Sequence, residues 1–270
     1  MRWQAKRDTA LGNRVAESKV LRHPKAPSPL RSAGAVQKNN GGSGFSCIRK
    51  SERNLPLTAA KRNSAFGVII LGAGASSRMG RPKLLLPWRD TTVIGHLLQQ
   101  WRELGAAQIG IVLRPQDASL AAELDRLCFP RADRIENPQP DRGMFSSILC
   151  AANWPGWKDE ITTWAVVLGD QPHLRLETLR QLLEFHFANA NAVCQLEFDG
   201  HARHPVLLPR RAFNELKVSQ AKTLKGFLKR TSVRSAQYSV DEPGLALDLN
   251  TPEDYQRAQD SIARLTPQPK

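Results

Sequence analysis

Residues 66–83 read Phe66-Gly67-Val68-Ile69-Ile70-Leu71-Gly72-Ala73-Gly74-Ala75-Ser76-Ser77-Arg78-Met79-Gly80-Arg81-Pro82-Lys83. The run Gly67–Leu71 is short, continuous and apolar, and it ends in glycines. Those features predict a strand buried on both faces of a sheet. After Leu71 come small residues through which backbone N–H groups can approach an anion closely. Arg78 offers a planar fork of donors and Lys83 a point charge, five residues apart. Both suit phosphate oxygens. The bland alternative is a glycine-rich strand-to-helix turn with incidental basic residues.

Outward from this stretch the pattern alternates. Thr91 or Thr92 can cap a helix carrying Ile94, Leu97, Leu98, Trp101 and Leu104 at helical spacing, ended by Gly105. Gln108–Leu113 reads as a second strand, Asp117 as the cap of the next helix, and Arg134–Glu136 as a short strand. Met144–Ala152 reads as helix, Trp164–Leu168 as a strand ending at Gly169-Asp170, and Leu176–Phe187 as amphipathic helix. Ala192–Phe198 alternates, with Cys194, Leu196 and Phe198 on one face, and Val206–Leu208 and Val233–Val240 are further strands. The last helix opens with Thr251 as cap, Pro252 at its first position, and Glu253 and Asp254 in its first turn. Strands alternating with helices of this length predict an α/β fold with a mostly parallel sheet. In such sheets ligands bind outside the carboxyl ends of the strands. The glycine loop and Gly169-Asp170-Gln171-Pro172 both lie at such ends.

Two common phosphate loops do not fit. The pattern GxxxxGK[ST] is missing, because Lys83 follows Pro82 and precedes Leu84. The dinucleotide pattern GxGxxG has Gly72 and Gly74 but Ser77 in third place, and no acid follows the second strand at Leu113-Arg114. A dinucleotide-dependent oxidoreductase is therefore disfavoured.

The chain of 270 residues carries a formal net charge of +14, but residues 1–65 hold 14 of the 39 Lys/Arg and only 3 of the 25 Asp/Glu. The basicity belongs to that segment and the body is nearly balanced, which removes most of the case for nucleic-acid binding. Residues 1–65 contain Pro24, Pro27, Pro29 and Asn39-Asn40-Gly41-Gly42 without apolar periodicity. They are expected to form a disordered basic extension, leaving a folded domain at 66–265. Cys47, Cys128, Cys150 and Cys194 show no metal-ligand spacing. Such sparse cysteines fit reduced thiols and a cytoplasmic protein. No apolar run is long enough to span a membrane.

Leu71–Lys83 resembles the LxxGxxxRMGxxK signature of the molybdenum-cofactor nucleotidyltransferases, and Leu84-Leu85-Leu86-Pro87 resembles the cytidylyltransferase branch. Three further segments agree in order: Gly143–Ile148 with GMxxSL, Leu168–Pro172 with a DQP or DMP strand end, and Asp248–Asp254 with DIDTPED or NINTPED. The resemblance covers about residues 66–262. It implies a Rossmann-like three-layer α/β/α sandwich of the nucleotide-diphospho-sugar transferase type. It implies transfer of a nucleoside monophosphate from an NTP to a phosphorylated small-molecule acceptor, releasing pyrophosphate. Leu71, Gly72, Ala73, Gly74, Ser146 and Asp170 would bind nucleotide. Arg78 and Lys83 would hold phosphates and the charge of the leaving group. Asp170 and Asp248 would hold Mg2+, which takes few protein oxygens. Ala73 stands where the GTP-using branch has glycine and favours CTP, whereas Asn250 is as in the GTP branch.

The acceptor side departs from the family pattern. His204-Pro205-Val206-Leu207-Leu208 resembles GHPVLF, but Arg203 replaces the glycine. Ala221-Lys222-Thr223-Leu224-Lys225-Gly226-Phe227-Leu228 stands where a Gly-Asp-x-Gly-Ala segment is expected. Molybdopterin as acceptor is thus in question. A sugar phosphate is the alternative, as is a nucleotide-binding chaperone of a molybdoenzyme without transfer activity. His204 is an acceptor contact or a strand-end histidine making a backbone bond.

Overall fold

The computed structural model describes residues 65–265, the side chains of 262–265 excepted. The expected extension over 1–65 lies outside the described residues, apart from Ala65, which opens the first strand. The chain runs β1 (Ala65–Leu71), β2 (Pro87–Trp88), β3 (Thr91–Thr92), α1 (Val93–Glu103), β4 (Gln108–Leu113) and α2 (Ala118–Arg126). It continues β5 (Arg134–Glu136), α3 (Met144–Asn153), β6 (Ile161–Leu168), α4 (Leu176–Ala188), β7 (Val193–Phe198) and β8 (His201–Pro209). It closes with α5 (Arg210–Lys217), α6 (Leu224–Leu228), β9 (Ser235–Ser239) and α7 (Pro252–Leu265).

Seven strands form one sheet in the order β5-β4-β1-β6-β8-β7-β9, and β2 and β3 form a separate hairpin. β1 pairs in parallel with both β4 and β6, putting Leu71 beside Val112 on one side and Leu168 on the other. β8 alone runs against its neighbours β6 and β7. The chain moves outward from β1 through β4 to β5, then returns to β6 on the other flank. The order therefore reverses at β1, and the crevice there is where ligands of open α/β sheets sit.

The three layers follow from alternation along the strands. Val68 and Ile70 of β1 face one core with Ile94, Leu97 and Trp101 of α1, Leu124 of α2, Leu182 of α4 and Ala258 of α7. Ile69 between them faces the other, with Ile148 of α3, Phe213 of α5 and Phe227 of α6. Both faces of β1 are thus covered, as its continuous apolar run requires. Trp164 of β6 stacks on Phe213 with ring centroids 3.8 Å apart.

The helix caps follow the residue chemistry. Thr92, rather than Thr91, caps α1 and accepts from the Gly95 N–H at 3.2 Å. Asp117 caps α2, accepting from the Leu120 N–H at 3.1 Å. At α7, Thr251 Oγ1 accepts from the Asp254 N–H and the Asp254 carboxylate accepts from the Thr251 N–H, a reciprocal cap. The hairpin and α5 carry no comparable sequence signal, whereas α6 is capped by Thr223, whose Oγ1 accepts from the Gly226 N–H at 3.0 Å. α5 opens on Arg210-Arg211, and its apolar stripe is only Ala212, Phe213 and Leu216. No helix among the described residues is long and apolar enough to cross a membrane.

His186 on α4 is buried, with Nε2 2.8 Å from Thr163 Oγ1. Burial pushes its pKa down from 6.5 to about 4. Above pH 6.5 the ring is neutral folded or unfolded. As pH falls from 6.5 towards 4, the unfolded chain takes up a proton that the fold refuses, so stability is lost across that window. The contribution amounts to about 3 kcal/mol at full effect. His96, held near 4 chiefly by burial and then by Arg89, acts in the same direction. His186→Gln should therefore shrink the stability difference between pH 7 and pH 4.5 in urea unfolding. An unchanged difference would show that His186 does not titrate this way.

Candidate functional site

The carboxyl ends of β1 and β6 meet over a cleft of about 290 Å3. Close approach of the chain there explains two glycines. A Cβ on Gly72 would stand 2.9 Å from the Val112 carbonyl oxygen, and one on Gly169 would stand 2.8 Å from that of Leu71. The Gly72 N–H instead donates to the Val112 carbonyl at 2.9 Å, tying the start of the loop to β4. Ser76 takes a left-handed conformation (φ 51°), and its Oγ accepts from the Lys83 N–H at 3.2 Å, which folds the loop back on itself.

This folding brings the basic residues to the acidic ones. Lys83 Nζ donates to Asn250 Oδ1 at 2.9 Å and lies 3.3 Å from Asp170 Oδ2. Arg78 Nη2 donates to the same Asn250 oxygen at 2.9 Å. Two cations from the glycine loop thus converge on one amide oxygen, 172 and 167 residues further along the chain. Asp170 is mostly buried, and its pKa is raised by that burial first and by the Asp248 charge second, against the pull of Lys83. Asp248 Oδ1 accepts from Gln171 Nε2 at 2.8 Å, and the Leu249 N–H donates to the Asp170 carbonyl at 3.0 Å. The two acidic loops are joined side by side.

Leu71, Gly72, Ala73, Gly74, Lys83 and Asp170 all line the cleft, and Arg78 and Asp248 stand beside it through the bonds just described. Ser146 does not line it. Its Oγ donates within the loop before α3, where the Gln139 and Gly143 carbonyls are 3.1 and 2.8 Å away. Ser147, one residue on, lines the cleft with Met144. His204 Nδ1 lies 3.2 Å from the Val166 carbonyl oxygen, the backbone bond of a strand-end histidine. Burial lowers its pKa, with Val166 and the Asp248 charge opposing.

Sequence reasoning passed over Arg114 and Asp141. Arg114 and Asp141 line the cleft and pair at 3.4 Å. Arg114 could have been found from its place directly after β4, because every carboxyl end near the reversal of strand order faces the crevice. Asn250 was read from the sequence for its bearing on the base, not for the contacts it makes with Arg78 and Lys83.

Asp170 and Asp248 form an all-oxygen donor pair close enough for one charge to raise the other's pKa. Among the described residues no group of three or more His, Cys, Asp or Glu comes together. Two carboxylates fit a hard divalent cation that completes its shell with phosphate and water. They do not resemble a nitrogen- or sulfur-rich site.

The chain is similar to several known proteins, among them a cytidylyltransferase. The molybdenum cofactor cytidylyltransferase of Escherichia coli is 25% identical over 204 residues, covering 75% of this chain and all of that one. The bifunctional protein GlmU of Clavibacter sepedonicus is 30% identical over 135 residues, 49% of this chain. The chain spans only 27% of the length of that GlmU. The crystal structure of Rv0371c from Mycobacterium tuberculosis, 26% identical, superposes with a TM-score of 0.58 over 73% of this chain and 98% of that one. Rv0371c has also been solved in complex with manganese, at 25% identity, a TM-score of 0.54, and coverage of 73% of this chain and all of that one. The fold is that of the nucleotide-diphospho-sugar transferases. Residues 68–236 match the MobA-like NTP transferase domain, so the chain belongs to that family.

Proposed function

We propose that residues 66–265 form a domain that transfers CMP from CTP to a phosphorylated small-molecule acceptor and releases pyrophosphate. The observation that carries this reading is the convergence of Arg78 and Lys83 on Asn250 beside Asp170, at the carboxyl ends of β1 and β6. That arrangement presents two cations to a triphosphate without spending them on strong ion pairs. In the reaction an acceptor phosphate oxygen attacks the α-phosphorus, and the bond from that phosphorus to the β-phosphate bridging oxygen breaks. Charge then builds on the leaving pyrophosphate. Arg78 and Lys83 are placed to meet it, and such fixed charges reorganise little during the reaction. Asp170 and Asp248 would hold a divalent cation, Mg2+ in our reading, which supplies charge neutralisation at the phosphates. The manganese complex of Rv0371c supports divalent metal binding in this fold.

The base-side wall is the loop Leu71–Gly74. Ala73 is 6% exposed and lines the cleft, so its methyl group fills space that glycine would leave to a larger base. This supports CTP over GTP. The acceptor reading follows the Escherichia coli relative, whose name makes the molybdenum cofactor its acceptor. The departures at Arg203 and Ala221–Leu228 are the reason to test sugar phosphates beside molybdopterin. Pyrophosphate release from CTP or GTP with each acceptor is the direct assay. Release with neither acceptor would overturn the acceptor class, and release from GTP alone would overturn the base.

Competition binding isolates the role of Ala73. Ala73→Gly should move the CTP-to-GTP affinity ratio towards GTP by about tenfold, the low end of what one methylene in a pocket is worth, because neighbouring residues also shape the site. An unmoved ratio would place base selection elsewhere.

The two carboxylates should act as a unit. Asp170→Asn and Asp248→Asn should each weaken Mg2+-dependent CTP binding by about tenfold or more, with the double variant little worse than the poorer single one. Calorimetry with Mg2+ and with chelator would measure this. Wild-type and variants binding CTP equally under both conditions would remove the metal assignment.

A chain beginning at Ser64 should keep its melting temperature and CTP affinity, because the charge and apolar patterning of residues 1–63 set that segment apart from the domain. Loss of either property on truncation would make the segment part of the working unit.

A further inference from the structure

We propose that Gln171 is a positioning residue for the divalent cation, holding the Asp248 carboxylate in its orientation beside Asp170. The inference rests on the metal-dependent reading above. Gln171 follows Asp170 directly and is 5% exposed. Its Nε2 donates to Asp248 Oδ1 at 2.8 Å. Its Oε1 is buried with no protein partner among the described residues.

A buried acceptor without a partner costs about 1–3 kcal/mol. Stability alone would favour an apolar side chain of similar volume at this position. The protein bond that the side-chain amide makes is the one to Asp248, so that is where its contribution lies.

The bond is not needed to hold the segment that carries Asp248, which is braced independently. Glu242 is buried and accepts from the Arg175 N–H at 3.2 Å and from Thr178 Oγ1, and it pairs with Arg175 Nε at 3.2 Å. His173 Nε2 lies 2.8 Å from the Gly244 carbonyl oxygen. Leu249 is tied to Asp170 by its backbone. These bonds fix the main chain on both sides of Asp248 but leave its carboxylate free to rotate. The Gln171 amide removes that freedom by engaging Oδ1, and the second oxygen is left for a cation. Groups that orient a metal-binding side chain in this way typically alter affinity 10–100-fold when lost.

Gln171→Met and Gln171→Leu delete the donor while keeping an apolar side chain of comparable size. Three quantities separate positioning from bulk structure: Mn2+ affinity by electron paramagnetic resonance at saturating CTP, CTP affinity in EDTA, and Tm. GTP replaces CTP if wild-type protein prefers it. Both variants should bind Mn2+ about tenfold more weakly. Their CTP affinity in EDTA should be unchanged, and Tm should hold within about 3 °C or rise.

The inference is overturned if Mn2+ affinity stays within about twofold of wild type while wild type itself shows metal-dependent binding. It is also overturned if CTP affinity in EDTA falls by the same factor, or if Tm drops by more than about 10 °C in both variants, which marks a structural residue. Wild-type protein that binds nucleotide but takes up no Mn2+ overturns the metal reading together with this inference.

Discussion

The parallel pairing of β1 with β6 is the constraint on which the site depends. It sets Leu71 beside Leu168, so the glycine loop and Asp170 leave the sheet as neighbours although they are about a hundred residues apart in the chain. β1 is held in the middle of the sheet because both its faces are buried, one in each core. Gly72 and Gly169 then let the two chain exits pass against carbonyl oxygens that a Cβ would strike. Packing in the sheet thus determines electrostatics at its edge. The cations are brought to the carboxylates by strand register before any ligand arrives.

That electrostatic arrangement is unusual for a protein interior. Burial pushes the Asp170 pKa up, and the neighbouring Asp248 charge adds to it. Lys83 offsets this only partly, because its ammonium is shared between Asp170 and Asn250. A fully satisfied ion pair would be more stable but would leave less charge for a ligand. Asn250 is neutral, so it orders Arg78 and Lys83 without cancelling them. The local imbalance is therefore borne by the rest of the fold, a common condition at functional sites.

The fold was legible where a strand is apolar on both faces or a helix carries its own cap. β1, β4 and β6 needed only their runs, and α1, α2 and α7 announced themselves through Thr92, Asp117 and Thr251. α5 was not legible, because two arginines open it and its apolar stripe is only three residues long. Phe213 stacks on Trp164 of β6, a contact between this helix and the sheet that the local sequence does not announce. At the site, the residues of the glycine loop could be read because they are contiguous. Asn250 and Gln171 could not, since their meaning comes from partners on the far side of the chain.

The acceptor side was the least legible for a topological reason. β8 runs against β6, so it is the amino end of β8, not its carboxyl end, that lies at the level where β6 finishes. A search of strand carboxyl ends therefore passes over His204 and Arg203. Beyond Pro209 the chain sits at the opposite edge and must run back through α5 and α6 before β9 begins. α5 packs against α3, whose first turn carries the cleft residues Met144 and Ser147. The segment Ala221–Leu228 thus belongs to the same helical layer as one wall of the cleft. Differences in acceptor can accumulate there while β1, β6 and the loops they place remain unchanged.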